Sequence, residues 1–153
     1  IKFYLNYVGG QNPDTSKTSQ FDAVVTAKIS DKFNIGFNAT SNSTKFWDGS
    51  KNIDALSWGG AALYLNLDPK PWFGLTLRGE LFSDKNQIKP YAYASEGGSI
   101  FATTLSANFK SGGFTFIPEL RLDNANKDVL FIDKDGNGTK SATSFVIAAV
   151  YSF

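Results

Sequence analysis

Apolar and polar side chains alternate with a period of two in eight runs along the chain, and clusters of turn residues separate them. Phe3, Leu5 and Tyr7 open the pattern, and Phe21, Ala23, Val25, Ala27 and Ile29 follow. Later stripes include Ala61, Leu63, Leu65 and Leu67, then Phe73, Leu75, Leu77 and Leu81. Runs from Phe33, Phe101, Phe114 and Phe145 complete the set, and no apolar stripe contains a charge. The intervening positions hold them instead: Asp22, Lys28, Arg78, Glu80, Glu119, Arg121 and Asp123 stand among threonines, serines and asparagines. Period two predicts β-strands, whereas a helix would scatter these charges around its circumference.

The breaks alternate in length. Ser30–Lys32, Asp68–Pro71 and Lys110–Gly113 are short and rich in turn residues, while the expected long breaks are Gly9–Ser19, Ser43–Ala55, Ser83–Gly98 and Asn124–Ala142. In an up-and-down antiparallel sheet, successive connections fall at opposite ends, so one rim collects short turns and the other long loops. That asymmetry is the signature of an outer-membrane barrel.

A soluble sandwich also alternates apolar and polar positions, so periodicity alone does not separate the two. Length does: most runs reach the roughly 9–11 residues that a tilted strand needs to cross a bilayer, against about 5–6 for an ordinary strand. The rings of Phe21, Phe33, Phe73, Phe101, Phe109 and Phe114 fall at stripe ends, as interfacial girdles require. The sequence closes on Tyr151-Ser152-Phe153, whose terminal aromatic resembles the signal read by the outer-membrane barrel assembly machinery. The expected fold is therefore all-β: an up-and-down antiparallel transmembrane β-barrel, with eight strands in this chain and a single domain over 1–153. Unpaired strand edges are not tolerated in lipid, and the short first run suggests strands upstream, so a larger barrel is expected.

Composition narrows the chemistry. The chain has 153 residues, with 14 Phe, 6 Tyr and 3 Trp, more rings than a soluble core of this size calls for. Cys and His are both absent, which removes disulfides, thiolate metal sites and the commonest general base. Barrel lipases, acyl transferases and proteases rely on a histidine, so no enzyme is expected. A net charge of +1 argues against nucleic acid as a partner.

Several segments carry a family resemblance: Phe3-Tyr4-Leu5-Asn6-Tyr7-Val8-Gly9-Gly10, Trp58-Gly59-Gly60-Ala61-Ala62-Leu63-Tyr64, Leu77-Arg78-Gly79-Glu80-Leu81-Phe82-Ser83-Asp84, and the ending Ala149-Val150-Tyr151-Ser152-Phe153. In these the chain resembles the C-terminal part of the OmpL-like outer-membrane β-barrel porins of Bacteroidota. The resemblance implies a barrel in the outer membrane of a Gram-negative bacterium, with lipid and the assembly machinery as partners, the latter engaged through Tyr151 and Phe153. It implies a passive channel for small polar solutes. The alternative is a closed small barrel with a structural or adhesive role through its long loops.

Arg78, Glu80, Glu119 and Arg121 form mirrored Arg-x-Glu and Glu-x-Arg pairs on the polar face, with the strand of Thr104 and Ser106 between them. Such a cluster either lines a constriction or fills a narrow barrel as an internal ion-pair network. Asp133-Lys134-Asp135-Gly136-Asn137-Gly138 matches the opening of a calcium loop. Ser144 replaces the bidentate glutamate, leaving Asp133, Asp135 and Asn137 as at most a weak Ca²⁺ site and no other cofactor expected. Trp47 is a candidate loop-tip contact, Trp58 and Tyr64 read as packing or interfacial residues, and Pro118 calls for a bulge or an exposed edge.

Overall fold

A computed structural model describes residues 1–153 as an all-β chain. Eight long strands form one sheet: β1 (Lys2–Gln11), β2 (Lys17–Lys28), β3 (Phe33–Lys45), β4 (Leu56–Lys70), β5 (Phe73–Asp84), β6 (Gly98–Ser111), β7 (Phe114–Ala125) and β10 (Ser141–Tyr151). A small hairpin of β8 (Phe131–Ile132) and β9 (Gly138–Thr139) decorates the last loop. Every neighbour in the order β1-β2-β3-β4-β5-β6-β7-β10 is antiparallel, so the topology is the simple meander that the alternating breaks predict. The sheet does not close on itself: β1 and β10 each pair on one side only.

Register carries the alternation intact across the sheet. Arg78 pairs with Thr104 and Thr104 with Arg121, and Leu77 pairs with Leu105 and Leu105 with Leu120. One face therefore collects the polar set and the other the uncharged stripes, since a slip of one residue would exchange them. The stripes meet no protein. Phe21, Leu81, Leu105, Leu120 and Ile147 are all exposed, Ile147 to 58%. The buried apolar residues are only Ala62, Tyr91, Ala102 and Ala125. A sandwich would have buried its Leu and Phe side chains between two sheets, and the one other sheet is the two-stranded β8–β9 hairpin of the last loop. An uninterrupted apolar face of this extent is what hydrocarbon tails accept.

Rings band this outer face. Phe73, Phe109 and Phe116 form a row with centroid separations of 5.2 and 6.4 Å near the short turns, while Tyr7 meets Phe21 at 4.8 Å toward the long loops. Short turns occupy 29–32, 71–72 and 112–113, and the opposite rim carries 12–16, 46–55, 85–97 and 126–140.

Two expectations are corrected. The first long break shrinks to 12–16, because Gly9, Gly10 and Gln11 continue the ladder against Ser19, Thr18 and Lys17. Their polarity marks a hairpin running past the apolar band, not a loop. Pro118 lies neither at a bulge nor at an edge. It sits in β7 between β6 and β10, opposite Ile147, and the β6–β7 register is the same on both sides of it. The ladder toward β6 lapses locally instead, since proline offers no N–H to continue it.

Candidate functional site

The inner face of β5–β7 is built from alternate residues, which places Arg78, Glu80 and Phe82 in one column and Glu119, Arg121 and Asp123 two strands away. Ala102, Thr104 and Ser106 on β6 form a floor low enough for long side chains to cross above it. Arg121 reaches over that floor. Its Nε donates to both carboxylate oxygens of Asp123 at 3.0 Å, and its Nη2 lies 2.8 Å from Asp123 Oδ1 and 3.2 Å from Glu80 Oε1. Arg78 is held more loosely, with Nη2 3.5 Å from Glu80 Oε2 and its guanidinium carbon 5.9 Å from the centre of the Tyr64 ring. The Arg78 Nε is buried with no partner.

The structure thus brings Arg78, Glu80 and Arg121 together but leaves Glu119 out of the ion-pair set. The Glu119 carboxylate accepts the Ser106 hydroxyl at 2.6 Å. Asp123 takes the role expected of Glu119. Its position two residues beyond Arg121 on the same face was the available signal, since i and i+2 share a strand face.

A second carboxylate stands on β2. Asp22 accepts from the Asn6 amide at 3.1 Å, the Asn38 amide at 2.9 Å and the Thr40 hydroxyl at 2.6 Å. Neither Asp22 nor Glu119 has an ion-pair partner.

Between these clusters, at the β4–β5 junction, Trp58 stacks on Phe82 with centroids 5.5 Å apart. Gly60 opposes Phe82, and a Cβ there would lie 2.9 Å from the Leu81 carbonyl oxygen and 3.1 Å from the Phe82 ring. Glycine is what lets that ring lie against the wall.

The 85–97 loop folds toward the same face. Buried Asp84 accepts backbone N–H groups of Ile88, Lys89 and Tyr91 at 2.8–3.1 Å, and the Tyr91 hydroxyl donates to the Ser99 carbonyl at 3.2 Å. Burial, then the Asp84 carboxylate, pushes the Tyr91 phenol above its ordinary range. Lys89 ends 5.5 Å from the centre of the Trp58 ring. Trp58, read from sequence as a packing residue, is thus the meeting point of wall and loop.

Asp133 closes its turn on itself. Its Oδ1 accepts the backbone N–H groups of Asn137 at 2.8 Å and Asp135 at 2.9 Å, and Gly136 takes φ +85°. The amide of Asn137 foremost holds this carboxylate below its usual range. No cluster of three or more His, Cys, Asp or Glu side chains is arranged to hold a metal ion. Trp47 sits in the 46–55 loop, bridged to Asn52 and part exposed. Tyr151 ends the last strand and Phe153 lies two residues beyond it, both exposed, with ring centroids 6.5 Å apart.

An open antiparallel meander with a bare apolar outside and a charged inside defines a porin-type β-barrel wall. The family model described as "Putative beta-barrel porin-2, OmpL-like" matches residues 1–153, and the chain belongs to that family. No curated protein and no solved structure matches the chain.

Proposed function

We propose that these strands form part of the wall of a water-filled outer-membrane pore of a Gram-negative bacterium, through which small polar solutes pass passively. The observation that carries this reading is the pair of inner-face carboxylates without a cation. A charge walled off from water costs several kcal/mol unless paired, so Asp22 and Glu119 need water in front of them. Asp123, by contrast, has its cation within the wall, in Arg121 of the same strand.

The open sheet supports the same reading, because barrel diameter grows with strand number and a barrel of about sixteen strands leaves an aqueous channel. Lipid covers the outer stripes, and the exposed Tyr151 and Phe153 present the last strand to the assembly machinery. Asp133, Asp135 and Asn137 make a surface turn able to hold Ca²⁺ only weakly, the Asp133 oxygen being engaged by backbone amides already. The test is single-channel conductance of the full-length protein in planar bilayers. Stepwise openings whose conductance scales with salt are expected; a correctly folded, inserted protein that passes no current would overturn the reading.

A further inference from the structure

The inner wall carries three hollows in a line, and an aromatic ring marks each junction. The middle one, about 210 Å³, has Gly60 and Ala62 in its floor, Trp58, Phe82 and Tyr64 around it, and Glu80 at its edge. Trp58 also borders a hollow of about 320 Å³ toward the long loops, where Gln20, Asn42, Thr44 and Lys89 supply the polar groups. Tyr64 also borders one of about 250 Å³ on the other side, with Thr76, Arg78, Ser106 and Glu119. Trp58 and Tyr64 lie on the same face of β4, six residues apart, which is about 20 Å of track at roughly 3.3 Å per residue.

Rings on the wet side of a pore wall leave apolar area in water, and a solute that covers it is bound by that area. The solute must also satisfy amides, hydroxyls and carboxylates that repeat beside the rings. Along these hollows Arg121 and Arg78 offset Glu80, and Lys89 and Arg78 stand among Asp14 and Glu119. The lining therefore carries both signs of charge and favours a solute without net charge over phosphates or acidic chains. The length of the track calls for a chain of similar units. A pyranose has apolar C–H faces and a rim of hydroxyls that both donate and accept, and linked pyranoses repeat that pattern. We propose that this track binds a neutral linear oligosaccharide during passage, with Trp58 as its principal stacking surface. The proposal deepens the pore reading and rests on it.

Trp58 also meets Phe82 and Lys89, so its role in binding is read from sugar block at kept conductance and not from folding. Phe82 and Tyr64 face glycines across the strand, Gly60 and Gly36, and so also fill the wall, whereas Trp58 pairs with Asn42. In planar bilayers, the full-length protein is titrated with glucose, maltotriose, maltohexaose and cellohexaose. The expected result is reversible current block, with a hexasaccharide half-blocking at a concentration about tenfold or more below glucose. Trp58→Ala is expected to raise that concentration about tenfold with the open conductance kept, and Trp58→Phe to restore block to within about threefold of the parent. If Trp58→Ala fails to give the heat-modifiable band of a folded barrel, Trp58→Leu, which keeps bulk against Phe82 but offers no aromatic face, takes its place with the same expectation.

An open channel indifferent to every glucan overturns the proposal and leaves the pore reading standing, as does stronger block by a nucleoside than by any sugar. Absence of conductance overturns the pore reading instead. Tryptophan fluorescence of the detergent-solubilised protein then decides the site, and an unchanged spectrum with maltohexaose or cellohexaose overturns it.

Discussion

The two flanks of the inner wall hold their carboxylates in opposite ways. On β5–β7, Asp123 and Glu80 share Arg121, and Glu80 also faces Arg78, so these two charges are neutralised within the wall and Glu119 alone keeps a neutral donor, Ser106. On β2–β3, Asp22 is surrounded by neutral donors from Asn6, Asn38 and Thr40 and keeps its full charge. The same side-chain type is thus a structural acceptor on one flank and a fixed field source on the other. Neutral donors satisfy lone pairs without cancelling charge, and only water in front of them makes that arrangement tolerable. The aromatic seam of Trp58 and Phe82 lies where the two flanks meet.

That seam is the most sensitive place to disturb the contrast. Gly60→Val puts a branched side chain against the Leu81 carbonyl and the Phe82 ring, and it should cost about 1–3 kcal/mol in urea unfolding from lipid vesicles. Gly79 has nothing within 4 Å of the corresponding position, so Gly79→Val should be close to neutral in the same measurement. Equal losses at the two glycines would mean that intrinsic backbone freedom, not the fit of Phe82, sets the requirement.

Carboxylate-to-amide changes compare the flanks directly. Glu80→Gln deprives both arginines of a shared counter-charge and is expected to cost about 1–2 kcal/mol, moderated because these side chains are about a quarter exposed. Asp22→Asn keeps an acceptor oxygen for its neighbours and should leave stability close to that of the parent. Its effect belongs to permeation. In a salt gradient, the cation-to-anion permeability ratio should fall by about twofold, as expected for one water-facing unit charge removed from the wall. A larger stability loss for Asp22→Asn than for Glu80→Gln would reverse the assignment of the two flanks.

The strands and their facing were legible because the alternation is uninterrupted and one face holds no charge. Leu77, Leu105 and Leu120 fall in register where that pattern puts them. Arg78, Glu80 and Arg121 were legible for the same reason. The exchange of Glu119 for Asp123 was not, since parity fixes the face of a side chain but not its reach across Thr104 to the next column. Trp58 was legible as a packing residue, but its partners were not. Its importance comes from Phe82 across the strand and Lys89 in a loop folded back onto the wall, and neither contact is encoded in the β4 sequence. Pro118 shows the converse: a local rule predicted a bulge, and pairing on both flanks held the register without one.

The smallest expected effect concerns the mouth beside the β2 flank, where Asp14 caps the 12–16 turn. The Ser16 hydroxyl donates to Asp14 Oδ1 at 2.6 Å and the Ser16 backbone N–H at 3.0 Å, which holds the carboxylate below its usual range. Because the folded value lies below the unfolded one, its contribution to the turn is fully present above the ordinary carboxylate value of 3.8 and is lost as pH falls through the depressed one. Between neutral pH and about pH 5, hydrogen exchange at the Ser16 amide should therefore show unchanged protection once corrected for its intrinsic pH dependence, with loss only in stronger acid. Asp14→Asn, which keeps an acceptor but has no proton to take up, should abolish that acid-linked loss. If protection instead fell between pH 7 and about 5, the turn would depend on a group other than this carboxylate.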